Sequence, residues 1–269
     1  MSQILRSSSW RTGQRLLVLG MVLLLAACAS VPRPSSQAPA AATPPPYDAW
    51  QRVLEKYVDD QGRVNFVGVQ KDRADLDRFV AWVYDNSPQN QPNLFPTKEA
   101  VLAYHINAYN ALAMHKVLER DIPQTLAGLR KVSFFFFGKV QVGQQPITLY
   151  KYENDVVRKL ADPRMHVALN CMSVSCPRLP REAFLPERLN EQLDREAKRF
   201  YNEERNVQVD EANRVLRLSE ILKFYTQDFL AEAPSLAAYV NKYREQKVPE
   251  DFKVEFVPYD WTINRQPGT

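Results

Sequence analysis

The sequence predicts an α+β fold, a single domain with several helices packed on a small, mostly antiparallel sheet. Three observations carry that expectation. Apolar residues recur at helical spacing, as in Leu76, Phe79, Val80 and Val83 at i, i+3, i+4 and i+7. Short β-type runs are separated by turn residues, Val140–Val142 running into Gly143–Pro146 and Val207–Val209 facing Val215–Leu218. These strands do not alternate regularly with helices, which argues against a doubly wound sheet.

Taken in order, Asp48–Val58 reads as a helix with Trp50, Val53, Leu54 and Tyr57 on its apolar face, and Val64–Phe66 as a short strand after the turn at Gly62. Asp72 is placed to cap the helix that carries Leu76. Ser87–Pro96 is a loop, and Thr97 opens a long helix to about Glu119. Phe134–Phe137 is strand-like, Tyr152–Leu160 helical and closed by Asp162-Pro163, and Met165–Leu169 a buried strand. Pro186 opens a helix with Leu189, Leu193, Ala197 and Phe200 on one stripe. Ser219 caps another, Pro234 begins one more, and Val254–Val257 closes the sheet.

The 269 residues carry 35 Lys+Arg against 31 Asp+Glu. Four of the bases, Arg6, Arg11, Arg15 and Arg33, lie in an N-terminal region that has no acid, so residues 47–269 are neutral. A neutral body without a basic stripe gives no footprint for nucleic acid, and none is expected as a partner. There is no G-x-G-x-x-G and no G-x-x-x-x-G-K-[ST], so no nucleotide cradle is expected and no cofactor is inferred. Three His and three Cys do not fall at zinc-ligand spacing, so no metal site is expected.

Residues 1–27 have the pattern of a secretory address. A basic n-region precedes Leu16–Leu25, an apolar run too short to span a bilayer as a helix, which needs roughly 20 residues. Leu25-Ala26-Ala27-Cys28 resembles the bacterial lipobox, in which the chain is cut before the cysteine and Cys28 is lipidated. By the same resemblance, Ala29 favours the outer membrane over the inner one. Residues 28–46, rich in Pro and Ala, form a tether that cannot bury enough apolar area to fold. The expected molecule is a globular body, 47–269, on a stalk. It is held to the membrane through Cys28 and faces the periplasm, with inner-membrane anchoring or the cell surface as alternatives.

Two clusters can carry chemistry. In the long helix, Asn107 and Asn110 lie about 60° apart on one face. Amides there are poor for helix propensity, so they either clamp neighbouring backbone or line a polar pocket. His105 points elsewhere, and His115 is expected to be exposed near the helix end. In the second cluster, His166 precedes Cys171 and Cys176. If 165–169 is a strand, His166, Ala168 and Asn170 share one face. Three readings of the cysteines stay open: a disulfide, as suits an oxidising compartment; a nucleophile, Cys176 or Cys171, activated by His166; or inert buried thiols. Glu153 is either a buried acid paired with Arg158 or Arg164, or a carboxylate favoured by a helix start. Asp260 and Trp261 lie in a C-terminal segment expected to dock on the body. The pocket set is therefore Asn107, Asn110, Glu153, Asp260 and Trp261.

Together these residues resemble a family called domain of unknown function 547. The resemblance is carried by Ala103–Asn110, Leu149–Glu153, Arg164–Pro177 with His166, Cys171 and Cys176, and Asp260–Asn264. It extends over roughly residues 47–264. Asn65, Phe66, His105 and Asn154 depart from the family pattern. The resemblance implies relatedness and no particular reaction. The leading expectation is a polar pocket that binds an unidentified periplasmic ligand or protein. The alternatives are a cysteine-dependent acyl transferase or amide hydrolase using a Cys-His pair, and a structural or assembly factor of the envelope.

Overall fold

The computed structural model describes Val31, Arg33, Pro34 and residues 43–269. The segment expected to be a signal peptide, Cys28 and most of the expected tether lie outside the described residues. The first described residues lie on the body: the buried Val31 donates its N–H to the Lys139 carbonyl at 2.8 Å, and Arg33 pairs with Asp85.

Helix α1 (Tyr47–Tyr57) buries the expected face of Trp50, Val53, Leu54 and Tyr57. The segment after it differs from expectation. Val64 makes only isolated bridges to Val58 and Arg265, because the Asn65 side chain accepts the Gly68 N–H and starts helix α2 (Phe66–Lys71). Asp72 does not cap α3 (Ala74–Asp85). Its carboxylate is taken by Lys56 and Tyr57, and Arg73 holds the N-cap position without a side-chain bond. Thr97 does cap the long helix α4 (Lys98–Leu118), accepting the Ala100 N–H. Helix α4 is buried almost all round and forms the axis of the larger core.

The turn α5 (Leu129–Val132) continues into a π-helical turn, Ser133–Phe137, where a strand was expected. A strand would send alternate phenylalanines to opposite faces. Winding the segment instead lets the adjacent pair Phe134 and Phe135 go inward together while Phe136 and Phe137 stay outside. The hairpin β1 (Lys139–Val142) and β2 (Gln145–Thr148) follows. Its two turn residues, Gly143 and Gln144, both have positive φ, the requirement of the tight hairpin turn that suits strand twist. Helix α6 (Leu149–Lys151) runs on through a π segment to Val157 and a 3₁₀ turn to Leu160.

Met165–Leu169 is not a strand. Asp162 caps the Arg164 N–H and Pro163 takes the first position of a 3₁₀ helix, Pro163–Val167. The Asp-Pro pair therefore starts a helical turn as well as ending the previous one. Helix α7 (Leu189–Asn202) buries the predicted stripe. A three-stranded sheet follows, with β3 (Val207–Asp210) antiparallel to β4 (Val215–Ser219) and β5 (Lys253–Val257) parallel to β4. Short helices α8 (Glu220–Phe224), α9 (Thr226–Leu230) and α10 (Leu236–Asn241) lie between β4 and β5 in the chain. Ser219 caps the first of them and Ser235 the last. The architecture is α+β, with two small sheets in place of one.

The buried residues form two apolar clusters, one around α4 and one between α7, the three-stranded sheet and α8–α10. Val167 and Leu169, two residues apart, fall in different clusters, and Tyr259 packs against both. Their junction is where the polar groups gather. Among the described residues no helix is long and apolar enough to cross a membrane.

Candidate functional site

A narrow cleft of about 70 Å³ opens at this junction. One wall is the loop from Asn170 to Pro177, and local hydrogen bonds dictate its shape. The Asn110 side chain grips the backbone ahead of the loop, donating to the Ala168 carbonyl at 3.0 Å and accepting the Asn170 N–H at 2.7 Å. Asn170 then spans the loop, donating to the Pro177 carbonyl and accepting the Met172 N–H, both at 2.7 Å. Met172 sits at φ 72°, a left-handed conformation unusual for a side chain of its size. That turn folds Cys171 back toward Cys176. The C-terminal segment clamps the outside: Val174 N–H donates to the Thr262 carbonyl, Ser175 N–H to that of Asp260, and the Asp260 N–H to Ser175 Oγ.

The two cysteines are thiols and are not cross-linked; their sulfurs lie 2.8 Å apart. Cys176 Sγ accepts the Cys171 backbone N–H at 3.0 Å and faces the Tyr259 hydroxyl at 3.1 Å. Ser173 donates to the Tyr259 oxygen at 3.1 Å, which leaves the phenol proton for the sulfur. Burial alone would raise the Cys176 pKa. The hydrogen bonds from Cys171 and Tyr259 outweigh it and bring the thiol below its ordinary value. Cys171 moves the opposite way, pushed up by burial and by Cys176 next to it. The hydrogen bonds of the pair run to each other, Ser173 and Tyr259. Neither sulfur is hydrogen-bonded to His166, so the direct Cys-His contact that the sequence suggested is absent.

His166 lines the same cleft. Its Nε2 lies 2.8 Å from Asp228 Oδ2, and its ring stacks on Tyr225 with centroids 4.0 Å apart. Arg158 holds Asp228 by two parallel bonds of 2.8 and 2.7 Å, and Asn154 accepts a third N–H of the same guanidinium. The His166 bond and then Arg158 keep the Asp228 carboxyl well below the usual carboxylate range. A carboxylate there accepts the Nε2 proton, which leaves the lone pair on Nδ1. Nδ1 is buried and has no hydrogen-bond partner among the described residues. Asp228 thereby fixes the tautomer and the direction of the imidazole, as an acid does for the histidine of a triad.

Glu153 forms another part of the lining. It pairs with neither Arg158 nor Arg164. Its two oxygens instead accept the hydroxyls of Tyr109, at 2.9 Å, and Tyr225. Trp261 lines the mouth, edge-on to Phe135 at 5.8 Å and tilted against Tyr259 at 4.4 Å.

Other expected site residues lie elsewhere. Asn107 closes on the Phe184 backbone, donating at 2.7 Å and accepting at 3.0 Å, and neither it nor Asn110 lines the cleft. Both amides are clamps, satisfied by backbone groups that burial had left in need of partners. The Asp260 carboxylate caps its own Thr262 N–H and is exposed. His115, expected at the surface, is buried, because α4 is covered at its end by Arg73, Asp77 and Glu119. Asp228, Tyr225, Tyr109, Ser173 and Tyr259 are site residues that the sequence did not single out. Tyr225 and Asp228 are three apart at the start of a short helix, which is too common a spacing to mark them. Among the described residues no group of three or more His, Cys, Asp or Glu could hold a metal ion.

No curated protein and no solved structure matches the chain. Residues 94–201 match the model of a family described as Protein of unknown function, DUF547, a stretch that runs from the approach to α4 through His166 and both cleft cysteines to the end of α7.

Proposed function

We propose that the cleft carries out cysteine-dependent acyl transfer or amide hydrolysis, with Cys176 as nucleophile and His166 as proton carrier. One observation supports this above the others: a buried sulfur receives the Cys171 N–H and the Tyr259 hydroxyl at hydrogen-bonding distance. Such donors favour a thiolate, the reactive form of cysteine. The thiolate attacks an acyl carbonyl to form a thioester, and the leaving amine or alkoxide departs with a proton. A water or second acceptor then takes the acyl group and returns the sulfur. His166, oriented by Asp228, supplies and removes those protons across the cleft. The small cavity admits only the reacting group, so the rest of a substrate lies outside it, beside the exposed Phe224 and the half-buried Trp261.

Binding without chemistry is the weaker reading. The amides that were to form its recognition surface are occupied with backbone. A purely structural role leaves the convergence of thiols, His-Asp pair and buried glutamate without purpose. We further read the body as periplasm-facing and membrane-anchored through acylated Cys28, on the strength of residues 16–28.

The test uses p-nitrophenyl acetate as acyl donor and mass spectrometry as readout. The expected result is acetylation of Cys176 at neutral pH faster than that of free cysteine, followed by slow deacylation. Cys176→Ala abolishes it, Cys171→Ala retains it, and His166→Gln slows release by about 10²-fold or more. Acylation of Cys176 no faster than that of free thiol overturns the proposal.

A further inference from the structure

One segment that contributes to the cleft is basic and exposes large apolar side chains. From Ile122 to Tyr152 the chain has four basic residues, Arg130, Lys131, Lys139 and Lys151, and no acid. Within it Leu129, Val132 and Phe136 fall at i, i+3 and i+7 along the turn formed by α5 and the π segment. All three are exposed, as is Phe137, Leu129 at 88% and Phe137 at 65%. Phe136 stacks on exposed Tyr150 with centroids 4.5 Å apart. A large apolar ridge flanked by cations is the pattern of a surface that settles into the headgroup region of an anionic bilayer.

The path of the N-terminal segment says what covers the ridge. Val31 is hydrogen-bonded to Lys139, two residues from Phe137, and is further held by Tyr84, whose hydroxyl donates to the Val31 carbonyl. Arg33 is fixed to Asp85. Cys28 is three residues upstream of Val31, a reach of at most about 10 Å. An acyl chain on Cys28 thus enters its bilayer close to the ridge. The described part of the tether is pinned to the body and does not act as a long spacer.

We propose that the ridge Leu129–Phe137 seats the body on the bilayer that holds its own acyl anchor. The proposal rests on acylation of Cys28. Aromatic side chains suit this depth, since they are apolar in body and tolerate the headgroup zone. The neighbouring bases face the lipid phosphates. Seating also sets the direction of the cleft. Phe135, within the same segment but turned inward, lines it, and the Lys131 ammonium lies 4.0 Å from the ring of Trp261, another lining residue. The site is then presented at the lipid–water boundary and takes acyl groups that reside there.

The test uses the mature lipidated chain in vesicles of phosphatidylethanolamine and phosphatidylglycerol, carrying Phe137→Trp or, as a reference on the three-stranded sheet, Val209→Trp. The intact mass reports acylation separately. A chain without acyl groups removes the anchor reading and this proposal with it. With acyl chains present, brominated lipid is expected to quench the added indole of Phe137→Trp at least about twofold more than that of Val209→Trp, and aqueous iodide to do the reverse. Lys131→Ala with Lys139→Ala is expected to weaken the lipid quenching, and high salt likewise. Equal quenching at the two positions, or iodide access to Phe137→Trp undiminished by vesicles, overturns the proposal while leaving the anchor in place.

Discussion

At the scale of single residues, the reactivity of the cleft depends on which hydrogen-bond donors reach one sulfur. Cys176 has the Cys171 N–H at 3.0 Å and the Tyr259 hydroxyl at 3.1 Å. The backbone donor is beyond mutation, but the phenol can be removed with little change in shape. Tyr259→Phe is expected to raise the midpoint of Cys176 alkylation by about one pH unit or more, since a hydrogen bond to a charged group is worth roughly 1.5–3 kcal/mol. Iodoacetamide labelling followed by mass spectrometry across pH 5 to 9 reads this directly. An unchanged midpoint means that the phenol does not stabilise the thiolate. The cysteines and His166 were legible as candidates because they are close together in the chain. Asp228 and Tyr259 were not, because they reach His166 and Cys176 from 62 and 83 residues away. Nothing in the sequence near an aspartate records a distant imidazole.

At the scale of elements, the cleft is assembled by one helix gripping the segments that follow it. The span of helix α4 was legible, since Thr97 caps it and apolar residues recur along its whole length. What it holds was harder to read. Asp162-Pro163 signals an ending and a beginning alike, and the apolar run after it fits a strand and a tight helical turn equally well. Asn110 stands out in the sequence as a poor residue for a helix interior. Its two possible duties differ only in what lies opposite, which no periodicity records. The geometry makes the clamp testable. Asn110→Ala leaves the Ala168 carbonyl and Asn170 N–H buried and unpaired, and a loss of about 2–4 kcal/mol in urea unfolding is expected at 1–3 kcal/mol for each orphaned group, partly relieved by relaxation. In the native state the same variant is expected to let Cys171 and Cys176 drift apart. Slower alkylation of Cys176 at pH 7, at denaturant concentrations well below the transition, checks it. A variant as stable as the parent, with unchanged labelling, shows that the loop holds its own shape.

At the scale of the whole molecule, burial of bases sets how stability responds to acid. His105 and His115 lie inside the larger core, and each is lowered to about 3, by burial for His105 and by burial followed by Arg73 for His115. Each keeps a ring nitrogen without a partner, His105 at Nε2 and His115 at Nδ1, which a neutral ring tolerates and a charged one does not. Glu119 and Asp77, 3.7 and 4.0 Å from His115, do not rescue its charge, because Arg73 already engages both carboxylates. Both histidines therefore stay neutral in the folded chain, while in the unfolded chain they titrate near pH 6.5. As pH falls below that value the unfolded state binds protons that the folded state refuses, so stability drops. From pH 6.5 to 5.5 each ring removes about 1 kcal/mol, or about 2 kcal/mol together. Lys116, lowered to about 7 by burial and then Arg120, and Cys176 act in the same direction. Asp77 and Glu196, both raised by burial, act in the opposite direction. Urea unfolding in matched buffers at the two pH values measures the loss, and calorimetry at pH 5.5 is expected to register uptake of nearly two protons by these rings on unfolding. His115→Gln is expected to remove about half of the histidine part of the slope. Stability that is flat across the window means that water or a carboxylate reaches one of these rings, and that the core around α4 is less dry than its packing indicates.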